Sequence, residues 1–599
     1  MTLASSQDGT YPRPQLVRAQ HVPLDVKCGF AYDDDNVGLD GLWHHDASAF
    51  DREIQLPFAP ESAASGIGDT GYHPVVWYRL AVDRAALTTA GYPQQGERLL
   101  LHFGAVDYRA DVWVNGVHVA RHDGGQTSFS ADITAACTDV EMQEIVVRAE
   151  DDPLDVTMPR GKQDWEPEPH GIWYHRTTGI WRTVWIEAVP AVHIRSLAWI
   201  PDVQRGSVRC EIELSSRPAG PVALDVVLSH QGVDLARQRV SITDREAGFD
   251  VSLPSQRNGQ NHERLLWSPE NPTLIDAAVT LGEDSDVVHS YFGLRSTAVA
   301  EGQFLLNDRP VYVRSVLEQG YWPDSHFTAP GVAALREEVE LILSLGFNAA
   351  RIHQKVEDPR FLYWCDRLGL MIWGETAGAY QFSATAVARL TTEWLDIVRA
   401  YRSHPSIVTW VPLNESWGVQ HGAHDPAQRA YGLALTNLTR ALDPTRPVIS
   451  NDGWEHTDSD MWTFHDYESS GEALLARYAD RAGINAMIRG LGPVGRRMSV
   501  LPVPPVDLEE KPVMLTEFGG VSYAPGTEFE DSWGYSTASN ADDFESRVGE
   551  IVGAVRAASS LVGFCYTQLT DTRQETNGLC TEDRKPKLPA EVIAGIIRG

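Results

Sequence analysis

Cysteine is scarce: Cys28, Cys137, Cys210, Cys365, Cys565 and Cys580 are the only six in 599 residues, with no CxxC pair and no framework spacing. A disulfide scaffold is therefore not expected, and the thiols read as buried and free. Basic residues are outnumbered, 50 Lys and Arg against 82 Asp and Glu, and the resulting net charge of −32 repels polyanions. Nucleic acid and anionic membrane are excluded as partners on that ground, and a neutral substrate fits better. No window of about 18 apolar residues occurs, which removes a membrane-spanning helix. The first ten residues lack the basic start and apolar stretch of an export signal, so a cytoplasmic protein is expected. Also missing are internal repeats, low-complexity tracts, a GxxxxGK[ST] phosphate loop and an HExxH metal motif.

What the chain does have is length, aromatic surface and two changes of rhythm. Its 599 residues exceed what one core supports. Hydrophobic residues make up 43 % and tryptophans number 18, enough for several cores with ring faces to spare. Residues 1–190 consist of short alternating runs broken by Gly, Asp and Asn, including 110–114 and 117–120 on either side of Asn115-Gly116, a hairpin signature that points to a β-sandwich. Residues 191–296 are again all-β on a smaller scale, at the length of an immunoglobulin-like sandwich. From 297 to 599 apolar strands alternate with helical stretches. Eight strand candidates lie at 311–316, 348–353, 370–375, 407–413, 447–451, 461–465, 513–516 and 562–566. That count over about 300 residues predicts a TIM (β/α)8 barrel, with a doubly wound open sheet as the alternative because sequence does not show closure.

Barrel chemistry gathers at the C-terminal ends of strands, so the polar residues that end these runs are the candidate site. They are Glu318 or Asp324 after the first, His353 and Gln354, Glu375, Asn414 and Glu415, Asp452, His465 with Asp466 and Tyr467, Glu517, and Tyr566 with Gln568. Carboxylates and amides grip hydroxyls bidentately, and Trp373 and Trp533 offer faces for a sugar ring. Two strands end abruptly in a glutamate, Glu415 after Trp410-Val-Pro-Leu-Asn and Glu517 after Pro512-Val-Met-Leu-Thr. Paired carboxylates of that kind suit glycoside hydrolysis, which needs one acid for the leaving oxygen and one carboxylate facing the anomeric carbon. Held about 5 to 5.5 Å apart, the charge of one raises the pKa of the other. Asn414, beside the acid, is placed to hold a sugar 2-hydroxyl. His353, His465 and Glu375 lack metal-site spacing, so no metal and no cofactor are expected.

The strings Phe103-Gly-Ala-Val-Asp-Tyr-Arg-Ala-Asp-Val-Trp-Val-Asn-Gly116, Gly179-Ile-Trp-Arg-Thr-Val-Trp185, Phe292-Gly-Leu-Arg295, Gly346-Phe-Asn-Ala-Ala-Arg351 and both glutamate motifs together resemble glycoside hydrolase family 2, the group of β-galactosidases, β-glucuronidases and β-mannosidases. The resemblance runs through all three regions. It implies a jelly-roll sugar-binding domain over 1–190, an immunoglobulin-like domain over 191–296 and a catalytic TIM barrel over 297–599. It implies Glu415 as acid/base, Glu517 as nucleophile with Tyr467 near it, and a retaining double displacement. Members often form oligomers, so a homo-oligomer is compatible with it. The β-glucuronidase members carry an Asn-x-Lys pair that clamps the uronate carboxylate. Here Gln574-Glu-Thr-Asn577 stands before Gly578-Leu-Cys-Thr581 without a lysine, and a glucuronate would meet Glu575. The expectation is an exo-glycosidase acting on an oligosaccharide or glycoside and removing a neutral sugar, galactose first. A β-D-galactofuranosidase or α-L-arabinofuranosidase is the alternative. A uronidase, or a carbohydrate-binding protein that lost catalysis, is disfavoured.

Overall fold

The computed structural model describes residues 3–93, 96–260, 262–283, 286–524 and 532–599. Three apolar cores form in chain order, each from the pattern that announces it.

The first packs two antiparallel sheets. Six strands run in spatial order Arg52–Gln55, Lys27–Tyr32, Val75–Asp83, Met142–Glu150, Arg109–Val114 and Val117–Asp123, and four run Val22–Pro23, Val184–Val189, Arg98–Phe103 and Phe129–Asp132. Phe30, Leu80, Leu99, Val112, Val147 and Ile186 meet between them. The hairpin turn lies at Asn115-Gly116, both with positive φ (49° and 77°), as the twist of its flanking strands requires. The second core lies between a three-stranded sheet, Ile194–Asp202, Ser207–Leu214 and Glu246–Ser252, and a four-stranded one, Val233–Ile242, Val222–His230, Ile275–Leu281 and Asp286–Phe292. Strict alternation in Ser207–Leu214 turns Val208, Cys210, Ile212 and Leu214 inward. Buried Arg18 links the two sandwiches by pairing with Glu187 of the first and Asp286 of the second.

The third core is a parallel barrel: β1 (Val313–Glu318), β2 (Ala349–Ile352), β3 (Met371–Glu375), β4 (Ile407–Val411), β5 (Trp462–Asp466), β6 (Val513–Gly519) and β7 (Gly563–Thr567), hydrogen-bonded in the order β4-β3-β2-β1-β7-β6-β5. Strands β2 to β7 are buried along their whole length, because helices cover the outside and side chains fill the inside. Helix Val332–Ser344, for example, lays Leu335, Val339 and Ile342 against the sheet at helical spacing. The eighth place, between β4 and β5, is taken by the segment 447–452, which makes only isolated bridges, Val448 to Trp410 of β4 and Asp452 to Asn414 just beyond it. Side chains account for this difference from the sequence expectation. Asp460 Oδ2 accepts the Val448 N–H and Ser459 Oγ the Ser450 N–H, capturing amides that a regular ladder would use. The six cysteines are all free, and among the described residues no helix is long and apolar enough to cross a membrane.

Candidate active site

Strand β2 carries an arginine where an apolar residue is the norm. Arg351 is completely buried, and such a charge persists only if it is paired. Its guanidinium donates from Nε to Glu375 Oε2 at 2.8 Å, from Nη2 to Asn414 Oδ1 at 2.6 Å and from Nη1 to Glu517 Oε1 at 2.9 Å, with Asp452 Oδ2 2.6 Å from Nη1. One planar fork thus ties together the ends of β3, β4 and β6 and the irregular 447–452 segment.

Above it, His465 at the end of β5 bridges the acids. Its Nδ1 donates to Glu415 Oε1 at 2.7 Å and lies 3.4 Å from Glu517 Oε2, and its Nε2 donates to Asp452 Oδ2 at 3.0 Å. Ligand-type atoms of Glu415, His465 and Glu517 all fall within 4.8 Å of one another. Those three side chains are also a ligand set of the kind a metal ion could use. Burial by itself would lower the imidazole pKa, but Glu517, Asp452 and Glu415 outweigh it and push it up to about 10. His465 is therefore a cation at neutral pH. Glu415 answers in the opposite direction: burial would raise its carboxyl, yet the hydrogen bond and charge of His465 bring it below the usual value. A raised carboxyl is expected of one glutamate of the pair; that of Glu415 is lowered instead, because His465 holds the proton beside it.

The backbone presenting Glu415 is strained. Glu415 and Ser416 both have positive φ, 50° and 61°, a region non-glycine residues avoid. The turn is held by Glu415 N–H to Asp452 O at 3.0 Å and Ser416 N–H to Asn451 Oδ1 at 2.9 Å. Opposite, Tyr467 donates to Glu517 Oε2 at 2.7 Å and stacks on Tyr535, ring centroids 3.4 Å apart. Asn414 keeps an amide nitrogen with no partner, and Gln354 an amide oxygen. His353 is buried beside Glu375, its pKa held far below the usual value by burial and by the Arg351 and Lys162 charges, so it is neutral.

Several expected contacts are corrected. Glu375 and Asp452 have fully covered side chains and serve Arg351 and His465 from below, so they are not sugar contacts. Trp373, paired in register with Arg351, is only 1 % exposed and offers no ring face. Tyr566 is wholly buried against Phe518 and Gly519; β-strand alternation puts its neighbour Thr567 in the site, 3.3 Å from the Tyr467 hydroxyl. Asp324 is exposed and pairs with none of these groups, its carbonyl accepting from the Ala64 N–H. Trp533 is half-buried one layer out, donating to Gly171 O and meeting Tyr535 edge-on.

Sequence reasoning missed Arg351, Tyr535 and a contribution from the first domain. Its loop 160–164 enters the barrel mouth: Arg160 and Gly161 N–H donate to Gly378 O, and Tyr380 donates to Gly161 O. Gly161 (φ 62°) lies so near the Gln354 carbonyl that a Cβ would come within 2.3 Å of it. Tyr174 of the same domain donates to Glu575, whose other oxygen accepts from Asn577 at 3.0 Å. Trp165 and Trp173 pack edge-on with Tyr380, and Trp173 with Trp417, as an aromatic wall beside Glu415.

Residues 297–595 match the family model described as "Glycosyl hydrolases family 2, TIM barrel domain", and residues 192–295 match "Glycosyl hydrolases family 2". The chain belongs to glycoside hydrolase family 2. It has the sandwich, immunoglobulin-like and barrel architecture of the family. A β-glucuronidase of Canis lupus familiaris is 27 % identical over 403 residues, covering 63 % of this chain and 60 % of that protein. A β-galactosidase of Thermoanaerobacter pseudethanolicus is 26 % identical over 390 residues, covering 63 % and 48 %. The chain thus spans about three fifths of the first of these relatives and about half of the second. In fold it is similar to a β-galacturonidase from Eisenbergiella tayi (TM-score 0.72, 18 % identity, 98 % of this chain and 97 % of that) and to a β-glucuronidase from Ruminococcus gnavus (TM-score 0.74, 16 % identity, 97 % and 98 %).

The His465 network predicts a stability profile for this family member. Its folded-state pKa of about 10 lies above the ordinary 6.5, so its contribution is fully present below pH 6.5 and is lost as pH rises toward 10. The barrel's thermal midpoint is expected to fall across that window in calorimetry, and H465Q to flatten the fall. An equal slope in the variant would remove His465 as its source.

Proposed function

We propose that the chain is an exo-acting, retaining β-glycosidase working by double displacement. The observation that carries this reading is the closeness of Glu415 and Glu517, whose oxygens fall within 4.8 Å. Retaining enzymes hold their carboxyl groups about 5 to 5.5 Å apart, whereas inverting ones leave about 6.5 to 9.5 Å for a water. Glu517 attacks the anomeric carbon while Glu415 protonates the departing oxygen; water then attacks the same carbon, giving its proton back to Glu415. The resting proton is on His465, hydrogen-bonded to Glu415. As Glu517 forms its bond to carbon its charge disappears, and with it the strongest attraction that keeps His465 protonated. The proton can then pass along the hydrogen bond to Glu415 when the leaving oxygen needs it. Tyr467 orients Glu517, and the free amide of Asn414 meets the 2-hydroxyl. The first-domain loop walling one side supports an exo mode.

E415A tests the acid role. Turnover of substrates with alkyl leaving groups should fall by about 10^2- to 10^4-fold, and that of dinitrophenyl glycosides, which leave without protonation, far less. A uniform loss across leaving groups would remove Glu415 as the acid.

Two readings of the sugar have support. An acidic sugar is favoured by relatives named β-glucuronidase and by an unpaired lysine in the site. A neutral sugar, galactose or a furanose such as galactofuranose or arabinofuranose, is favoured by Glu575 standing where the uronate clamp is absent. The acidic reading is the stronger, since both Glu575 oxygens are already engaged by Tyr174 and Asn577. A panel of nitrophenyl glycosides decides: turnover of uronides supports it, turnover of neutral sugars alone overturns it, and turnover of none overturns the glycosidase proposal.

A further inference from the structure

Besides protonated His465, Arg351 and Lys162 bring positive charge to the site, and the two differ. Arg351 is saturated by four acceptors. Lys162, from the first domain, is 7 % exposed, and its ammonium makes no hydrogen bond or ion pair. Its backbone is fixed: the carbonyl accepts from Tyr174 N–H at 2.9 Å, Gly161 before it packs on the Gln354 carbonyl, and the Gln163 amide after it donates to Asp107 at 2.9 Å. A long flexible side chain on a rigid loop has been brought nine-tenths out of water without a counter-charge at contact distance. The covered part is the stem, while the ammonium itself is not among the fully buried atoms, so a carboxylate arriving there meets a positioned and partly desolvated charge.

The groups around it locate the gap. Its neighbour Gly161 lies against the Gln354 carbonyl, and Tyr174, whose N–H the Lys162 carbonyl accepts, donates to Glu575, so the loop sets Lys162 at the site; its charge accordingly acts on Glu415, His353 and Glu575. We infer that Lys162 is the specificity-determining residue for an anionic sugar, its ammonium receiving the carboxylate of a terminal uronate bound against Glu415 and Glu517. The inference rests on the acidic-sugar reading above and assigns it to a residue. It puts the anion-recognising charge on the first domain, beside the barrel position where the Asn-x-Lys pair is missing. A neutral sugar would leave the ammonium unpaired, and a site so built discriminates by that penalty. Glu575 does not forbid a second carboxylate nearby. Burial raises its carboxyl, and it takes up a proton more readily than a solvated glutamate does.

The test compares wild type, K162M and K162R on nitrophenyl β-glucuronide, β-galacturonide and β-galactoside, with the fold checked by circular dichroism and the melting midpoint. For K162M the uronide-to-galactoside ratio of kcat/KM should fall by roughly 30- to 1,000-fold, carried mainly by KM, with partial recovery in K162R. Free glucuronate should inhibit wild type and lose its grip on K162M, a binding readout independent of turnover. Wild type that cleaves the galactoside and no uronide overturns the acidic-sugar reading and this inference together. Uronide turnover by wild type with an unchanged ratio in K162M overturns the assignment to Lys162 alone, as does an equal loss on all three substrates.

Discussion

E517A should lose about 10^4-fold or more in kcat while the barrel stays folded. Folding survives because Arg351 keeps Glu375, Asp452 and Asn414, and Tyr467 keeps Thr567, when the Glu517 carboxylate goes. The lost function cannot be taken over by a neighbour: Asp452 and Glu375 are fully covered, and Glu415 stands on the side of the leaving oxygen in the proposed mechanism. Added azide makes the test specific to the nucleophile. In E517A it enters the vacated space below the sugar ring and yields a glycosyl azide of inverted configuration; in E415A it attacks the glycosyl-enzyme and yields the retained one. NMR of the two products assigns the roles, and identical configurations from both variants would reverse or remove the assignment.

The parts of this molecule written in local pattern were legible in the sequence, and those depending on chain parity or on distant segments were not. Asn115-Gly116 announces its hairpin because only a turn with two positive φ values joins those strands. Glu415 and Glu517 stand out because each breaks a buried strand at its end. Tyr566 and Thr567 lie one residue apart, and a shift of one residue moves a side chain to the other face of a strand; choosing the aromatic residue as the more chemical of the two picked the outer face. Trp373 points inward but too deep, a depth no strand pattern records. Arg351 did carry a signal: a charge within Ala-Ala-Arg-Ile must be paired when its strand is central, and the strand-end residues supplied more carboxylates than a sugar needs. Lys162 had none, because nothing in a one-dimensional reading says that a loop of the first domain ends in the mouth of the third.

The melting midpoint is where Arg351 should matter most. In R351M three carboxylates, Glu375, Asp452 and Glu517, lose their shared guanidinium in a volume closed to water, and breaking one buried pair typically costs about 3 to 5 kcal/mol. For a barrel of about 300 residues that lowers the midpoint by about 5 to 8 °C. R351K should recover little of it, since a single ammonium cannot span acceptors contributed by four segments of the barrel wall. The pH dependence separates lost charge pairing from lost volume. In the wild type, Asp452 is held far below the ordinary carboxyl range by Arg351 and His465, against burial, so its stabilisation is present above that range and is lost as pH falls. Without the arginine, burial dominates and the carboxyl pKa values rise above those of the unfolded chain. R351M should therefore gain more stability than the wild type as pH is lowered from about 7 to about 5, since the other buried carboxyls with raised pKa, such as Glu318 and Glu393, contribute alike to both. A variant midpoint that tracks the wild type at a constant offset would mean that Arg351 acts by filling space, and that the shared charge network is not what holds the two glutamates together.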